Sequence, residues 1–170
     1  MEKIPVISLN LAGIESNPGF HLNADMLIRA AMGAQFGDIF MRCTYRLRPY
    51  EATPGSVEGM HQKWLKIVQE FVSSRHVSLR KFNRLCRDII RDFDAIPILD
   101  IKKPRVGIVG EILVKFSPAG NNHLVELLES EGAEAVVPDL LDFMLYCFYN
   151  QLYKAENLGT SKKSARIASL

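Results

Sequence analysis

Polar side chains follow two apolar runs of the sequence at places where a parallel sheet would bring them together. In "RVGIVGEILVKFSPAGNN", Glu111 comes directly after an apolar run, and Asn121, Asn122 and His123 precede a predicted helix. Open α/β sheets bind ligands at the carboxyl ends of their strands. Asn10 ends another run, "IPVISLN", and either faces the same crevice or bonds the turn after its strand. Since a helix N-terminus favours an anion, the predicted ligand group is a carboxylate or a phosphate.

The glycines of this loop do not form a known phosphate-binding motif. Gly107 and Gly110 do not match G-x-G-x-x-G, and the predicted helix begins only near Asn121 rather than directly after the strand. The chain contains no Gly-Lys-Ser or Gly-Lys-Thr either. We therefore expect ATP and NAD to bind no tighter than about 1 mM, or roughly −4 kcal/mol. For Glu111, the alternative to a ligand contact is that its carboxylate only caps nearby amides.

The three cysteines, Cys43, Cys86 and Cys147, do not predict a metal site. They are far apart, and each lies in an apolar helical pattern. No two have the spacing of a zinc or iron–sulfur loop, and an odd number does not suggest a disulfide framework. We expect all three to be buried apolar side chains, with no metal bound.

Composition predicts an ordinary cytoplasmic globular protein. The 170 residues are 48% hydrophobic and 24% charged, with a net charge of +2. That charge is too small to suggest a nucleic-acid partner. No apolar run is long enough to span a bilayer, and the first residues lack the pattern of a signal peptide, so we expect no membrane association.

Periodicity predicts three helices before residue 97. Asn23 is placed to cap the first helix, which ends before Pro49. Ser78 is placed to cap the third, the clearest amphipathic stretch in the chain. The apolar stripes predicted for the second and third helices consist of Trp64, Leu65, Ile67, Val68, Phe71 and Val72, and of Leu79, Phe82, Leu85, Cys86, Ile89, Ile90 and Phe93.

The second half of the chain predicts a βαβ unit. "RVGIVG" and "EAVVP" are typical of buried parallel strands, and "NHLVELLESEGA" predicts a helix that ends before Gly132. With a first strand at Val6–Asn10, this indicates an α/β fold. We expect a three-layer Rossmann/flavodoxin-like parallel sheet with a helical insertion at about 22–95. One domain would cover 1–156, and 157–170 would be a tail that connects to further domains.

The predicted last helix is apolar on nearly all sides. Asp139 is placed to cap it, and "LLDFMLYCFYNQLYKA" leaves little polar face. A helix of this kind is buried or covered by something else. We expect residues 139–155 to contact another domain, or to form a homo-oligomer.

Several long runs of the sequence resemble a known family. They are "IPVISLNLAGIESNPGFHL", "GDIFMRCTYRLRPYE", "KPRVGIVGEILVKFSPAGNNHLVELLESEGAEAVVPDLLDFMLYCFYN" and "GTSKKSA". Together they resemble the large proteins related to 2-hydroxyglutaryl-CoA dehydratase and its activator, the acyl-CoA dehydratase activase family. Within such proteins, this chain is similar to an internal piece of the dehydratase-like part.

The resemblance implies radical chemistry on 2-hydroxyacyl-CoA thioesters. In the family, an ATP-dependent activase drives a low-potential electron into a dehydratase component, which eliminates water. The iron–sulfur cluster and the ATP would then belong to other parts of a full-length protein, and we expect neither in this fragment. "PDLLDF" has no cysteine at the strand end where the true dehydratases hold their cluster.

The resemblance also implies a role for two arginines. Arg46 and Arg48 of "YRLRPYE" are candidates for contacts with CoA phosphates. Capping of helix carbonyls, where cations are favoured, is the alternative. The expected function is a fragment that positions a CoA thioester or docks another domain or a dehydratase component, and that is not catalytic alone. The other hypothesis is a stand-alone binding or regulatory module of α/β fold, which would bury its last helix within itself.

Overall fold

The computed structural model describes residues 23–158. In that range the chain folds into six α-helices, one 3-10 turn and two short strands. In chain order they are α1 (Ala24–Leu47), the 3-10 turn (Arg48–Tyr50), α2 (Ser56–Ser73), α3 (Leu79–Asp94), β1 (Arg105–Gly107), α4 (Ile112–Phe116), α5 (Leu124–Ser130), β2 (Glu134–Val136) and α6 (Leu140–Asn157). No helix within these residues is both long enough and apolar enough to cross a membrane.

Several helix ends lie where the sequence predicts them. The Asn23 side chain accepts a hydrogen bond of 2.8 Å from the Met26 amide at the start of α1. Ser78 accepts one of 3.3 Å from the Lys81 amide at the start of α3. Gly132 follows α5 with a φ of +86°, a conformation that glycine adopts at little cost. These three predictions are confirmed.

Helices α1, α2 and α3 pack against one another and form the main hydrophobic core. Phe36 of α1 lies at its centre, with its ring centroid 6.1 Å from that of Phe71 and 4.9 Å from that of Phe82. Burial of each such ring contributes about 1.5–3 kcal/mol. The buried core residues are Met32, Phe36, Phe40, Val57, Trp64, Val68, Phe71, Phe82, Leu85, Ile89, Phe93 and Ile96.

The predicted stripe of α3 is correct at its centre and wrong at two positions. Leu79 is 68% exposed and Ile90 is 43% exposed. Both lie at the edge of the stripe, where α1 and α2 do not reach them, whereas Phe82, Leu85, Ile89 and Phe93 are buried.

The predicted βαβ unit is present, but its first strand is exposed rather than buried. Strands β1 and β2 are parallel, with Arg105 opposite Glu134 and Gly107 opposite Val136, and α5 lies between them in the chain. The unit packs against the second half of α1 through Met41 and Tyr45. The buried residues of this second, smaller core are Ile108, Val125, Ala135 and Val137.

The predicted three-layer Rossmann/flavodoxin-like sheet is wrong. Within residues 23–158 the sheet has two strands, and most of the chain is helical. The helices predicted as an insertion form the main core, because their apolar faces pack against each other rather than against a sheet. The predicted strand Val6–Asn10 and most of the 157–170 tail lie outside the described residues, and the boundary at 156 stays a prediction.

The N-terminus of α6 is held by α1. The buried Asp38 carboxylate accepts hydrogen bonds of 2.9 Å from the amides of both Leu140 and Leu141. Asp139 occupies the N-cap position, but it makes no side-chain cap; its carboxylate instead pairs with Arg42 at 2.7 Å. The prediction that Asp139 caps this helix is therefore wrong, since a carboxylate from another helix reaches the amides.

Candidate functional site

The predicted ligand residues of the loop after β1 serve mainly local structure. Glu111 is exposed and accepts a hydrogen bond of 3.1 Å from the Val114 amide, at the start of α4. The Asn121 amide group donates to the Val114 carbonyl at 3.0 Å and accepts from the Leu124 amide at 3.1 Å. Glu111 thus caps α4, as its alternative interpretation states, and Asn121 connects α4 to α5.

Asn122 and His123 adopt a strained backbone. Their φ angles are +56° and +55°, in a left-handed region that costs a residue with a side chain about 1–2 kcal/mol. A hydrogen bond of 2.8 Å from the His123 amide to the Pro118 carbonyl holds this turn closed. Both side chains are exposed, and Asn10 lies outside the described residues. Convergence of all five residues on one pocket therefore stays a prediction.

A different part of the molecule contains a concave site. Two adjoining cavities, with volumes of about 350 and 450 Å³, lie beside α1 and the start of β2. Three residues, Arg46, Arg105 and Glu134, line both cavities, and we call the combined site the arginine groove. Its other polar and charged lining residues are Arg42, Tyr45, Tyr50, Asp100, Lys102 and Lys103.

Glu134 is the buried centre of the arginine groove. Its carboxylate accepts a hydrogen bond of 2.8 Å from the Tyr50 hydroxyl and one of 3.0 Å from Arg105 Nε. The strand register places Arg105 beside Glu134, and the 3-10 turn after α1 brings in Tyr50. Burial and the hydrogen bond to the Glu134 carboxylate raise the pKa of Tyr50 above its ordinary value, so its hydroxyl keeps its proton at neutral pH.

The arginine groove is rich in cations that are not neutralised. Within residues 23–158, Arg46, Lys102 and Lys103 make no ion pair with an Asp or Glu side chain. Arg46 is exposed and lies where the two cavities meet. A phosphate or carboxylate would therefore find charge partners here without displacing an existing ion pair.

Arg48, the second arginine predicted to contact phosphates, has a structural partner. Its Nε and Nη2 atoms bind the two carboxylate oxygens of Glu129 at 2.7 and 3.0 Å, and the guanidinium lies over the Tyr45 ring. The sequence predicted either a phosphate contact or a cap on helix carbonyls for Arg48. The structure shows neither, because the side chain of Arg48 binds Glu129 and so connects the end of α1 to α5. Of the two arginines, the structure leaves Arg46 in the groove.

One wall of the arginine groove is apolar. Ile98, Leu99 and Ile101 line the second cavity, and all three side chains are about half exposed. Exposed aliphatic side chains next to free cations suit a ligand that carries both anionic and apolar groups.

Sequence reasoning gave no site role to Tyr50, Arg105 or Glu134. A signal for two of them existed, because Arg105 and Glu134 begin the two predicted strands, and parallel pairing in register places such residues side by side. The position of Tyr50 depends on the angle of the turn after α1, which no local pattern gives.

The cysteines lie apart in the structure. Cys43 and Cys86 are half-buried, while Cys147 is exposed on α6, so the prediction that all three are buried is wrong for Cys147. Burial, with a contribution from Asp94, raises the pKa of the Cys43 thiol to about 11. Within the part of the chain that the structure describes, no three His, Cys, Asp or Glu side chains are grouped so as to hold a metal ion.

No protein-family model matches the chain, and comparisons with curated proteins and with solved structures find no similar protein. The resemblance to the dehydratase and activase family therefore stays a prediction, and the groove has to be interpreted from its own chemistry.

Proposed function

We propose that this protein binds a coenzyme A thioester in the arginine groove and positions it without reacting with it. The observation that carries the proposal is the place of Arg46, an exposed arginine without an ion pair in the described chain, where both cavities meet. An arginine in this position can form two parallel hydrogen bonds to one phosphate.

The charge and size of the groove support a ligand with several phosphates. Lys102 and Lys103 add two cations to Arg46 along the second cavity. Each cavity lies within the range of about 300–1,000 Å³ that is typical of small-molecule sites. Coenzyme A carries a pyrophosphate and a third phosphate on its ribose, so its head group matches several separate cations.

The apolar wall supports the remainder of the ligand. Ile98, Leu99 and Ile101 lie in the same segment between α3 and β1 as Lys102 and Lys103. An adenine ring or an acyl chain can cover these aliphatic side chains while the phosphates remain on the cations. The resemblance to a family that acts on CoA thioesters agrees with this assignment, since it made Arg46 a candidate for contacts with CoA phosphates.

Glu134 prepares the groove rather than taking part in a reaction. Its carboxylate fixes the Arg105 guanidinium from one side and the Tyr50 hydroxyl from the other. Its own negative charge is balanced by Arg105, which keeps the centre of the groove from repelling an anion. The expected role is to hold the ligand for another component.

Calorimetric titration with acetyl-CoA tests the proposal. We expect binding in about the micromolar range at low salt. Since a hydrogen bond to a charged group contributes about 1.5–3 kcal/mol, Arg46→Ala should weaken it about 10- to 100-fold. A matched control is Arg84→Ala on α3, another exposed arginine that makes no ion pair in the described chain but lies outside the groove. An unchanged affinity for Arg46→Ala, or no binding at about 1 mM, would reject the proposal.

The alternative function, a stand-alone regulatory module, is the one expected to bury its last helix, whereas no residue of α6 is buried in the described chain. It also differs in its ligand. Such a module would recognise the phosphates alone through Arg46, Lys102 and Lys103. Titration with adenosine 3′,5′-bisphosphate separates the two functions: equal affinity for this compound and for acetyl-CoA would favour the regulatory module, whereas tighter binding of acetyl-CoA would favour the thioester.

A further inference from the structure

Helix α6 exposes an apolar face that nothing in the described chain covers. None of its residues is buried, although α6 is one of the most apolar segments of the sequence. The exposed stripe follows helical spacing of three and four residues, so its members lie on one side. It consists of Leu145, Tyr146, Phe148, Tyr149 and Tyr153.

We propose that this face binds the same face of a second copy, with the two α6 helices antiparallel and a two-fold axis beside Tyr149. In this arrangement, Tyr149 of each copy faces Tyr149 of the other, and Leu145 of each faces Tyr153 of the other. A two-fold contact of this kind uses one self-complementary patch twice and closes after two copies. The inference does not depend on the function proposed for the arginine groove.

The size of the patch fits a dimer. Its four aromatic residues, Tyr146, Phe148, Tyr149 and Tyr153, are 54–69% exposed. With roughly 150–250 Å² of surface per aromatic side chain, they and Leu145 offer about 500–600 Å² per copy. A standard interface buries about 800 Å² per partner, more than this patch offers, so we expect a weak, reversible dimer with a dissociation constant no tighter than about the micromolar range. Tyrosine and phenylalanine are also the residues that interfaces favour.

The charges near the two ends of α6 limit the strength of the antiparallel contact. Arg42 lies beside Asp142, near the start of α6, with a separation of 3.5 Å, but it already pairs with Asp139 at 2.7 Å. Glu156 lies near the end of α6, on the same side as the stripe. Since Asp142 and Glu156 are equally far from Tyr149, each Glu156 arrives beside Asp142 of the other copy, where one arginine faces three carboxylates. The apolar stripe alone therefore holds the dimer, which we expect to be weak.

A membrane surface fits the same face less well. Interfacial helices carry several lysines or arginines opposite their apolar side. The polar positions of α6 are instead occupied by Asn150, Gln151, Lys154 and Asn157, which include a single cation. This composition would gain little from anionic lipids.

Analytical ultracentrifugation of the whole chain tests the dimer. We expect a reversible monomer–dimer equilibrium that Tyr149→Arg weakens about 100-fold, because two like charges meet at the axis. The matched control is Gln151→Arg, which adds the same charge to the outer side of α6 and should leave the dimer intact. Tyr149 is exposed, so the variant keeps the fold, which circular dichroism verifies. A monomer at about 200 µM, or equal effects of both variants, would overturn the proposal.

Disulfide trapping tests the orientation. With Cys147→Ser as background, Tyr149→Cys should form an interchain disulfide under mild oxidation. Leu145→Cys alone should not, but a mixture of Leu145→Cys and Tyr153→Cys chains should. Efficient self-linking by Leu145→Cys would indicate a parallel pair and reject the antiparallel dimer. Binding of monomeric protein to phosphatidylserine vesicles that Tyr149→Arg abolishes would assign the face to a membrane instead.

Discussion

The contact between Asp38 and the start of α6 yields the sharpest prediction about stability. Asp38 lies on α1, yet its carboxylate accepts both hydrogen bonds that the first amides of α6 would otherwise donate to a cap on α6 itself. None of the side chains of α6 is fully buried, so this contact helps to hold the helix on α1, together with the ion pairs of Arg42 with Asp139 and Asp142. We expect Asp38→Ala to loosen α6 selectively, while the core formed by α1, α2 and α3 remains folded.

The magnitude follows from the geometry. Each of the two bonds is 2.9 Å long and involves a charged acceptor. Hydrogen bonds to charged groups contribute about 1.5–3 kcal/mol, whereas loss of a helix cap costs about 0.5–2 kcal/mol. The amides of Leu140 and Leu141 are half-buried, so water replaces part of the loss. We therefore expect Asp38→Ala to lower the free energy of opening α6 by about 2 kcal/mol, roughly a 30-fold change in the equilibrium.

Hydrogen exchange of the α6 amides measures this change directly. Protection of these amides should fall about 30-fold in Asp38→Ala, and protection of α2 should stay unchanged. Asp38→Asn, which retains one acceptor without the charge, should lose about half of that free energy. Glu70→Ala, an exposed carboxylate on α2, is the control. Equal loss of protection throughout the chain, or none in α6, would refute the reasoning.

Two further predictions concern titrating groups. Hydrogen bonds from two backbone amides and a hydroxyl outweigh burial and lower the pKa of Glu51. The stability that this carboxylate confers is present above its unfolded pKa and is lost as the pH falls through the lower folded pKa. Glu51→Gln should therefore make the free energy of unfolding fall less steeply with decreasing pH in a series of denaturation experiments. Iodoacetamide at pH 8 should modify the exposed Cys147 well before Cys43, whose pKa of about 11 leaves little thiolate, and equal rates would contradict this. A third prediction concerns metal: because the three cysteines lie apart, anaerobic reconstitution with iron and sulfide should yield no stoichiometric cluster on Cys43, Cys86 and Cys147. An absorption band that is lost on mutation of any of them would contradict this prediction.

The sequence by itself determined the local elements. Asn23 and Ser78 cap helices because a short polar side chain before an apolar periodic run can satisfy the first free amides. Gly132 ends α5 because the turn there needs a positive φ. The parallel pairing of β1 and β2 could also be predicted from the sequence, since two short strands joined by a helix form a βαβ unit, in which the strands are parallel.

Only the tertiary structure decided which elements form the core and which residues meet. A βαβ pattern predicts a parallel pair but not the number of strands, and the apolar faces of α1, α2 and α3 packed against each other instead of covering a larger sheet. Arg48 reaches Glu129, and Asp38 reaches α6, across long separations in sequence that no local pattern records. The arginine groove formed for the same reason: its charges come from α1, β1, β2 and the segment before β1, whose relative positions are set by packing of the two cores rather than by any of these segments alone.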